Sequence, residues 1–167
     1  MNEDSIVFRP IGLIHSPHHD QAATPIQPVF SEGIAGTVTL NPDLVDGLKG
    51  LDGFSHIYLF YQFNQASETR LRLKPYLADD EHGIFATRAP QRPNKLGMSL
   101  VRLTGIEGNV LHILDVDVLD ATPLIDIKPY VARFDSRSPV RSGWQEAVSD
   151  EVAAVRGLRG YKGPGQD

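Results

Sequence analysis

Short apolar runs separated by turn-forming residues dominate the chain. Residues 8–14, 34–40, 54–63, 98–106, 110–114 and 116–119 are apolar or alternating, and Gly, Pro, Asn or Asp stand between most of them. These runs predict β-strands, because every second side chain of an extended backbone shares one face. Thr37-Val38-Thr39-Leu40 alternates as a half-buried strand should. His56-Ile57-Tyr58-Leu59-Phe60-Tyr61 is almost entirely apolar or aromatic, which predicts a central strand. Glu107-Gly108-Asn109 lies between two runs and reads as a hairpin turn with positive-φ positions.

Helical signals are fewer. Asn41 as N-cap and Pro42 at the first position predict a short helix through Leu48. Residues 142–155 form the best longer candidate: Trp144, Ala147, Val148, Val152 and Val155 recur at helical spacing, with Ser142 as cap. Residues 16–31 carry Pro17, Pro25 and Pro28 without periodicity and read as a long loop, a place where function often resides. Many short strands and few helices predict a mainly β protein, a single β-barrel-like domain over residues 1–155 with a flexible tail over 156–167. The strand–helix alternation of a Rossmann sheet is missing, and the glycines between Gly47 and Gly53 lack the dinucleotide-binding spacing. There is no P-loop and no Gly-x-Ser-x-Gly.

Composition narrows the chemistry. The 167 residues include no cysteine, which excludes disulfides, thiolate metal sites and cysteine nucleophiles. No run approaches the ~20 apolar residues of a membrane span. The acidic N-terminus lacks a following apolar stretch, so no secretory signal and a cytoplasmic location are expected. The net charge of −5 argues against nonspecific nucleic-acid binding. Its distribution is uneven. Residues 84–105 carry Arg88, Arg92, Lys95 and Arg102 with no acid, and residues 106–126 carry Glu107, Asp115, Asp117, Asp120 and Asp126 with no Lys or Arg. Two solvated faces of one sheet produce such a pattern; so does a site for a ligand bearing both signs of charge.

Two segments hold the candidate chemistry. In residues 83–99, Arg88 and Arg92 stand near Pro90 and Pro93. Proline stiffens a loop, and a guanidinium fork suits carboxylate or phosphate. A rigid surface turn explains the pattern equally well. In residues 115–130, Asp115 and Asp117 would share one face of a strand, and Asp120-Ala121-Thr122-Pro123 reads as a turn. Asp126, Lys128 and Tyr130 alternate and would project from one side of an extended segment. An acid, an amine and a phenol there suit proton transfer, or simply a structural ion pair beside a tyrosine. His15, His18, His19 and Asp20 invite a metal reading, but adjacent His18 and His19 are poorly spaced for joint ligation, and no metal site is assigned.

The stretches Ile11-Gly12-Leu13-Ile14-His15-Ser16-Pro17 and Gly50-Leu51-Asp52-Gly53-Phe54-Ser55-His56, together with residues 83–94 and 119–130, resemble the TsaA-like family, which includes the TrmO-type transfer-RNA methyltransferases. The resemblance spans residues 8–135. It implies a barrel-like, non-Rossmann, homodimeric protein that binds S-adenosyl-L-methionine and methylates N6 of threonylcarbamoyladenosine beside the anticodon of tRNA. Carried over by position, it implies cofactor contacts at Pro25, Ile26, Gln27, Asn64, Gln65, Arg88, Met98, Asp120, Ala121, Thr122 and Pro123. With it, the expected catalytic group falls among Asp126, Lys128 and Tyr130, and Arg92 and Lys95 are expected to meet RNA phosphates. Three positions depart from the family pattern: Ile26 stands where arginine is common, Lys95 where proline is common, and Ala121 where glycine is common. Competing functions are methylation of another RNA or a small molecule, and a cofactor-binding sensor or RNA-binding module without methyl transfer.

Overall fold

The computed structural model describes residues 5–159. Its centre is a closed six-stranded antiparallel barrel. The barrel strands are β1 (Gly12–His15), β2 (Ala35–Leu40), β3 (His56–Gln62), β6 (Leu96–Glu107), β7 (Val110–Leu114) and β8 (Thr122–Pro129). A separate small hairpin pairs β4 (Arg72–Leu73) with β5 (His82–Gly83). Around the barrel the order is β1-β2-β7-β6-β3-β8, with β8 closing back on β1. Closure leaves no open barrel edge, which is how a small all-β domain satisfies its backbone groups.

Alternation decides what faces inward. Ile57, Leu59 and Tyr61 of β3, Val101 of β6, Leu111 and Ile113 of β7, and Leu124 of β8 are buried in one core with Ile14 and Val38. The aromatic run in β3 is not buried on both sides. Tyr58 and Phe60 point outward and are half-buried, and Tyr58 packs against Tyr130 with ring centroids 5.9 Å apart. β3 is nonetheless internal, paired with β6 on one side and β8 on the other. The hairpin turn expected over Glu107–Asn109 is present between β6 and β7; Glu107 pairs with Val110, leaving Gly108 and Asn109 as the two turn residues, with Gly108 at φ 60°.

The structure departs from the sequence expectations in three places. Residues 116–119 are not a strand. Asp115 takes φ 72°, which turns the chain out of β7. The segment then runs buried and irregular, its carbonyls capped by side chains: Ser16 Oγ donates to the Val118 carbonyl at 2.6 Å and His18 Nε2 to the Val116 carbonyl at 3.0 Å. Asp115 and Asp117 consequently do not share a strand face. The true sixth strand is β8, in the segment read as a turn followed by an extended run.

The helix expected over residues 142–155 is broken. A 3₁₀ turn (Gly143–Ala147) is followed by extended Val148 and Ser149, and then by α2 (Asp150–Gly157). Ser149, not Ser142, is the side-chain cap, accepting from the Val152 N–H. Val155 stays exposed, so the spaced apolar residues do not form one buried stripe. A short α1 (Ala132–Asp135) follows β8. The short helix expected through Leu48 is present as a 3₁₀ helix, Pro42–Leu48, with Asn41 at the N-cap position but without a side-chain capping bond.

The tail expected to be flexible over 156–167 is packed as far as it is described. Arg156 Nη1 reaches Asp79 Oδ1 at 3.1 Å, the Gly157 carbonyl accepts the Ile26 N–H at 2.9 Å, and the Arg159 guanidinium lies 4.2 Å from the centre of the Tyr76 ring. α2 thus straps the long loop to the β4–β5 segment. Residues 160–167 lie outside the described residues.

Candidate active site

Beside the barrel lies an open cleft of about 2000 Å³. This exceeds the ~300–1,000 Å³ of a typical small-molecule pocket and leaves room for two reactants. Three loops build its walls. The first is the long loop at residues 21–30, where Pro25 is fully buried and anchors the turn. The second continues from β3 through Asn64 and Gln65, and the third runs from Phe85 to Arg92. The outward faces of β3 and β6 contribute Tyr58, Met98 and Leu100.

Arg88 joins two of these loops. Its Nη1 donates to Gln27 Oε1 at 2.6 Å, while Gln27 Nε2 donates to the Ile26 carbonyl at 2.7 Å. The backbone of Ile26 is in turn held by Gly157. An exposed arginine is therefore aimed from a fixed amide into a cleft with apolar walls. The same cleft is lined by Pro25, Ile26, Gln27, Asn64, Gln65, Met98 and Thr122, so residues far apart in sequence meet there.

Asp120, Ala121 and Pro123 do not line it. Asp120 Oδ1 accepts from His15 Nδ1 at 3.3 Å and from the Ser16 N–H at 3.2 Å. Partial burial opposes ionisation of Asp120, but these bonds outweigh it and hold its carboxyl below the ordinary value. Its backbone N–H donates to the His18 carbonyl at 2.8 Å, so Asp120 fastens the long loop to the turn before β8. Ala121 adopts φ 58°, a left-handed conformation that glycine takes more readily than alanine.

Asp126 and Lys128 do project together, as an ion pair at 2.9 Å, but outside the cleft. Tyr130 approaches the cleft only through Tyr58 and His56, and its hydroxyl shares a hydrogen bond with Ser136. Arg92 and Lys95 are turned to their own chain. Arg92 Nη1 donates to the Thr87 carbonyl at 2.9 Å, and Lys95 Nζ to the Ala66 carbonyl at 3.0 Å. Lys95 sits at φ 48°, a left-handed conformation that a proline could not adopt. Solvent-facing cations on the cleft rim are instead Arg70, Arg72 and Lys74.

The sequence reading missed one group that lines the cleft. Asp117 is buried and accepts from Ser99 Oγ at 2.6 Å; Ser99 also shares a 2.9 Å hydrogen bond with the Tyr61 hydroxyl. Ser99 has one hydroxyl proton and gives it to Asp117, so Tyr61 is the donor to Ser99. Burial raises the Asp117 carboxyl to about 7, against the opposing hydrogen bond from Ser99 and the nearby positive charge of Arg88. The available signal was a lone acid inside the apolar run Val116-Asp117-Val118-Leu119. Among the described residues, no group of three or more His, Asp or Glu is arranged to hold a metal ion.

Residues 13–136 match the family described as the tRNA-methyltransferase O N-terminal domain. A probable S-adenosyl-L-methionine-binding protein of Pyrococcus abyssi is 52% identical over 151 residues, covering 90% of this chain and 82% of the relative. The mouse tRNA (adenine(37)-N6)-methyltransferase is 32% identical over 139 residues, covering 79% of this chain but only 32% of the mouse protein. A crystal structure of TrmO from Pseudomonas aeruginosa superposes with a TM-score of 0.72 at 38% identity, covering 86% of this chain and 63% of that one. The chain thus spans less than two thirds of several relatives it matches. The barrel, the matched residues and these likenesses agree with the resemblance carried by the sequence motifs: the chain belongs to the tRNA-methyltransferase O N-terminal domain family.

Proposed function

We propose that this chain is an S-adenosylmethionine-dependent methyltransferase acting on N6 of threonylcarbamoyladenosine next to the anticodon of tRNA. The observation that carries the reading is the Gln27–Arg88 bond, which draws two sequence-distant loops to one cleft. The donor set suits the cofactor. Arg88 offers a fork to its carboxylate, Asn64 and Gln65 offer amides to its ribose and amine, and Met98 and Leu100 offer apolar surface to its adenine. When bound, the cofactor supplies a methyl carbon activated by an adjacent sulfonium. The chain's contribution is then mainly positional, since an in-line displacement is accelerated by holding both reactants at contact distance.

Relatives named as S-adenosyl-L-methionine-binding and tRNA (adenine(37)-N6)-methyltransferase proteins support the cofactor and the acceptor. RNA backbone contacts fall to Arg70, Arg72 and Lys74 on the rim, because Arg92 and Lys95 spend donors on their own loops. We also assign a homodimer and a cytoplasmic location. Both are what the family resemblance and the sequence composition imply; no helix among the described residues is long and apolar enough to cross a membrane.

Two measurements test the reading. Titration calorimetry with S-adenosylmethionine should give saturable heat for the wild type and much weaker binding for Arg88→Ala; no binding by the wild type overturns it. Mass spectrometry of tRNA nucleosides from a deletion strain should show loss of the N6-methylated form of threonylcarbamoyladenosine. An unchanged level redirects the reading to another acceptor.

A further inference from the structure

We propose that Asp117 is the proton acceptor of the transfer reaction, held in place for it by Ser99 and Tyr61. The assignment rests on the methyltransferase reading. An exocyclic amine that gains a methyl group must lose a proton: the nitrogen–carbon bond forms, the carbon–sulfur pair stays with the departing thioether, and the nitrogen's proton needs a base. A base must stand where the reactants meet, and Asp117 lines the cleft, within the field of Arg88.

The other carboxylates bordering the cleft are poorly suited. Asp115 is held by both forks of Arg102, at 2.6 and 2.8 Å, which keeps it below the ordinary value. Glu81 faces Arg72 at 3.8 Å, and Glu32 and Asp150 are exposed. Asp117 has no ion-pair partner among the described residues. A carboxylate in water is too weak a base for a reluctant amine, whereas burial has moved this one into the range where it both ionises at neutral pH and holds a transferred proton. Tyr61 and Ser99 complete the arrangement. Burial keeps the Tyr61 hydroxyl protonated well above its ordinary value, so it remains a donor to Ser99, which pins Asp117 Oδ1. Among the described residues, the groups that act on Asp117 are Tyr61 from β3, Ser99 from β6 and Arg88 from its loop, while His18 bonds the preceding Val116 carbonyl.

Asp117→Asn keeps the shape and the acceptor for Ser99 but removes the basicity. Single-turnover methyl transfer should fall by about 100-fold or more, with S-adenosylmethionine affinity by calorimetry unchanged. The wild-type rate should drop below about pH 7, and Asp117→Asn should lose that limb. Ser99→Ala removes a bond that favours the carboxylate, so it should move the limb to higher pH. Independently of activity, the carbon resonance of the Asp117 carboxyl should titrate near 7, not near 3.8.

An Asp117→Asn protein that transfers at the wild-type rate overturns this assignment alone. So does one whose whole defect is weaker cofactor binding, or a carboxyl that titrates near its ordinary value. A wild type that binds S-adenosylmethionine but methylates no RNA overturns the methyltransferase reading, and this assignment with it.

Discussion

The ring of Tyr61 occupies the space where a side chain on Gly97 would stand. Gly97 lies directly opposite Tyr61 in the β3–β6 pairing, and a Cβ placed on it would overlap the aromatic ring. The missing side chain lets the Tyr61 ring lie against β6 so that its hydroxyl reaches Ser99, two residues further along the same strand. Gly97→Ala should therefore cost about 1–3 kcal/mol, the usual range for overpacking a core. It should also displace Tyr61 from Ser99. Urea denaturation reads the first effect, and a shifted Asp117 titration the second.

Asp117 also links stability to pH. Its folded-state value of about 7 lies above the ordinary 3.8, so the neutral carboxyl favours the folded state. That contribution is complete below about 3.8 and is lost as pH rises toward 7. Asp117→Asn, always neutral, should raise the melting temperature at pH 8 and change it little at pH 4. Equal effects at both values would show that the carboxyl is not raised.

Asp115 behaves in the opposite sense. The Arg102 fork leads the effects that hold its carboxyl below 3.8, so its contribution is present above that value and lost as pH falls through the folded-state value. Asp115→Asn should lower the melting temperature at pH 7, and the deficit should close in acid.

Ala121 carries a conformational cost that its neighbours cannot remove. A left-handed alanine is disfavoured by about 1–2 kcal/mol, partly offset by the greater unfolded-state freedom of glycine. Ala121→Gly, at this exposed turn, should stabilise the fold by about 0.5–1 kcal/mol in chemical denaturation.

The rim cations make a prediction about salt. If Arg70 and Arg72 meet RNA phosphates, replacing either with Ala should weaken RNA binding at all sequences and reduce the slope of log affinity against log salt by about 1. Replacing Arg92 should instead loosen its loop, because its guanidinium serves the carbonyl of Thr87.

The alternation of apolar and polar residues determined most of the barrel, and the motifs determined the family. Ile57, Leu59 and Tyr61 face inward because a strand's period is two, a property visible in the sequence. The segment of Arg88 carries the family resemblance, whereas its bond to Gln27 is a product of the fold. What the sequence left open depended on groups distant along the chain. Residues 116–119 look like a strand because they are apolar, yet Ser16 and His18 satisfy their backbone carbonyls and β8 takes the place in the barrel. Arg92 and Lys95 look like free cations until the carbonyls they bind are brought beside them. Asp117 is the clearest case. Its raised proton affinity comes from desolvation, against a hydrogen bond from Ser99 on a distant strand, and neither exists until the barrel closes. Local pattern fixes which side of a strand a residue occupies; only tertiary packing decides which polar groups lose water and which partner each then finds.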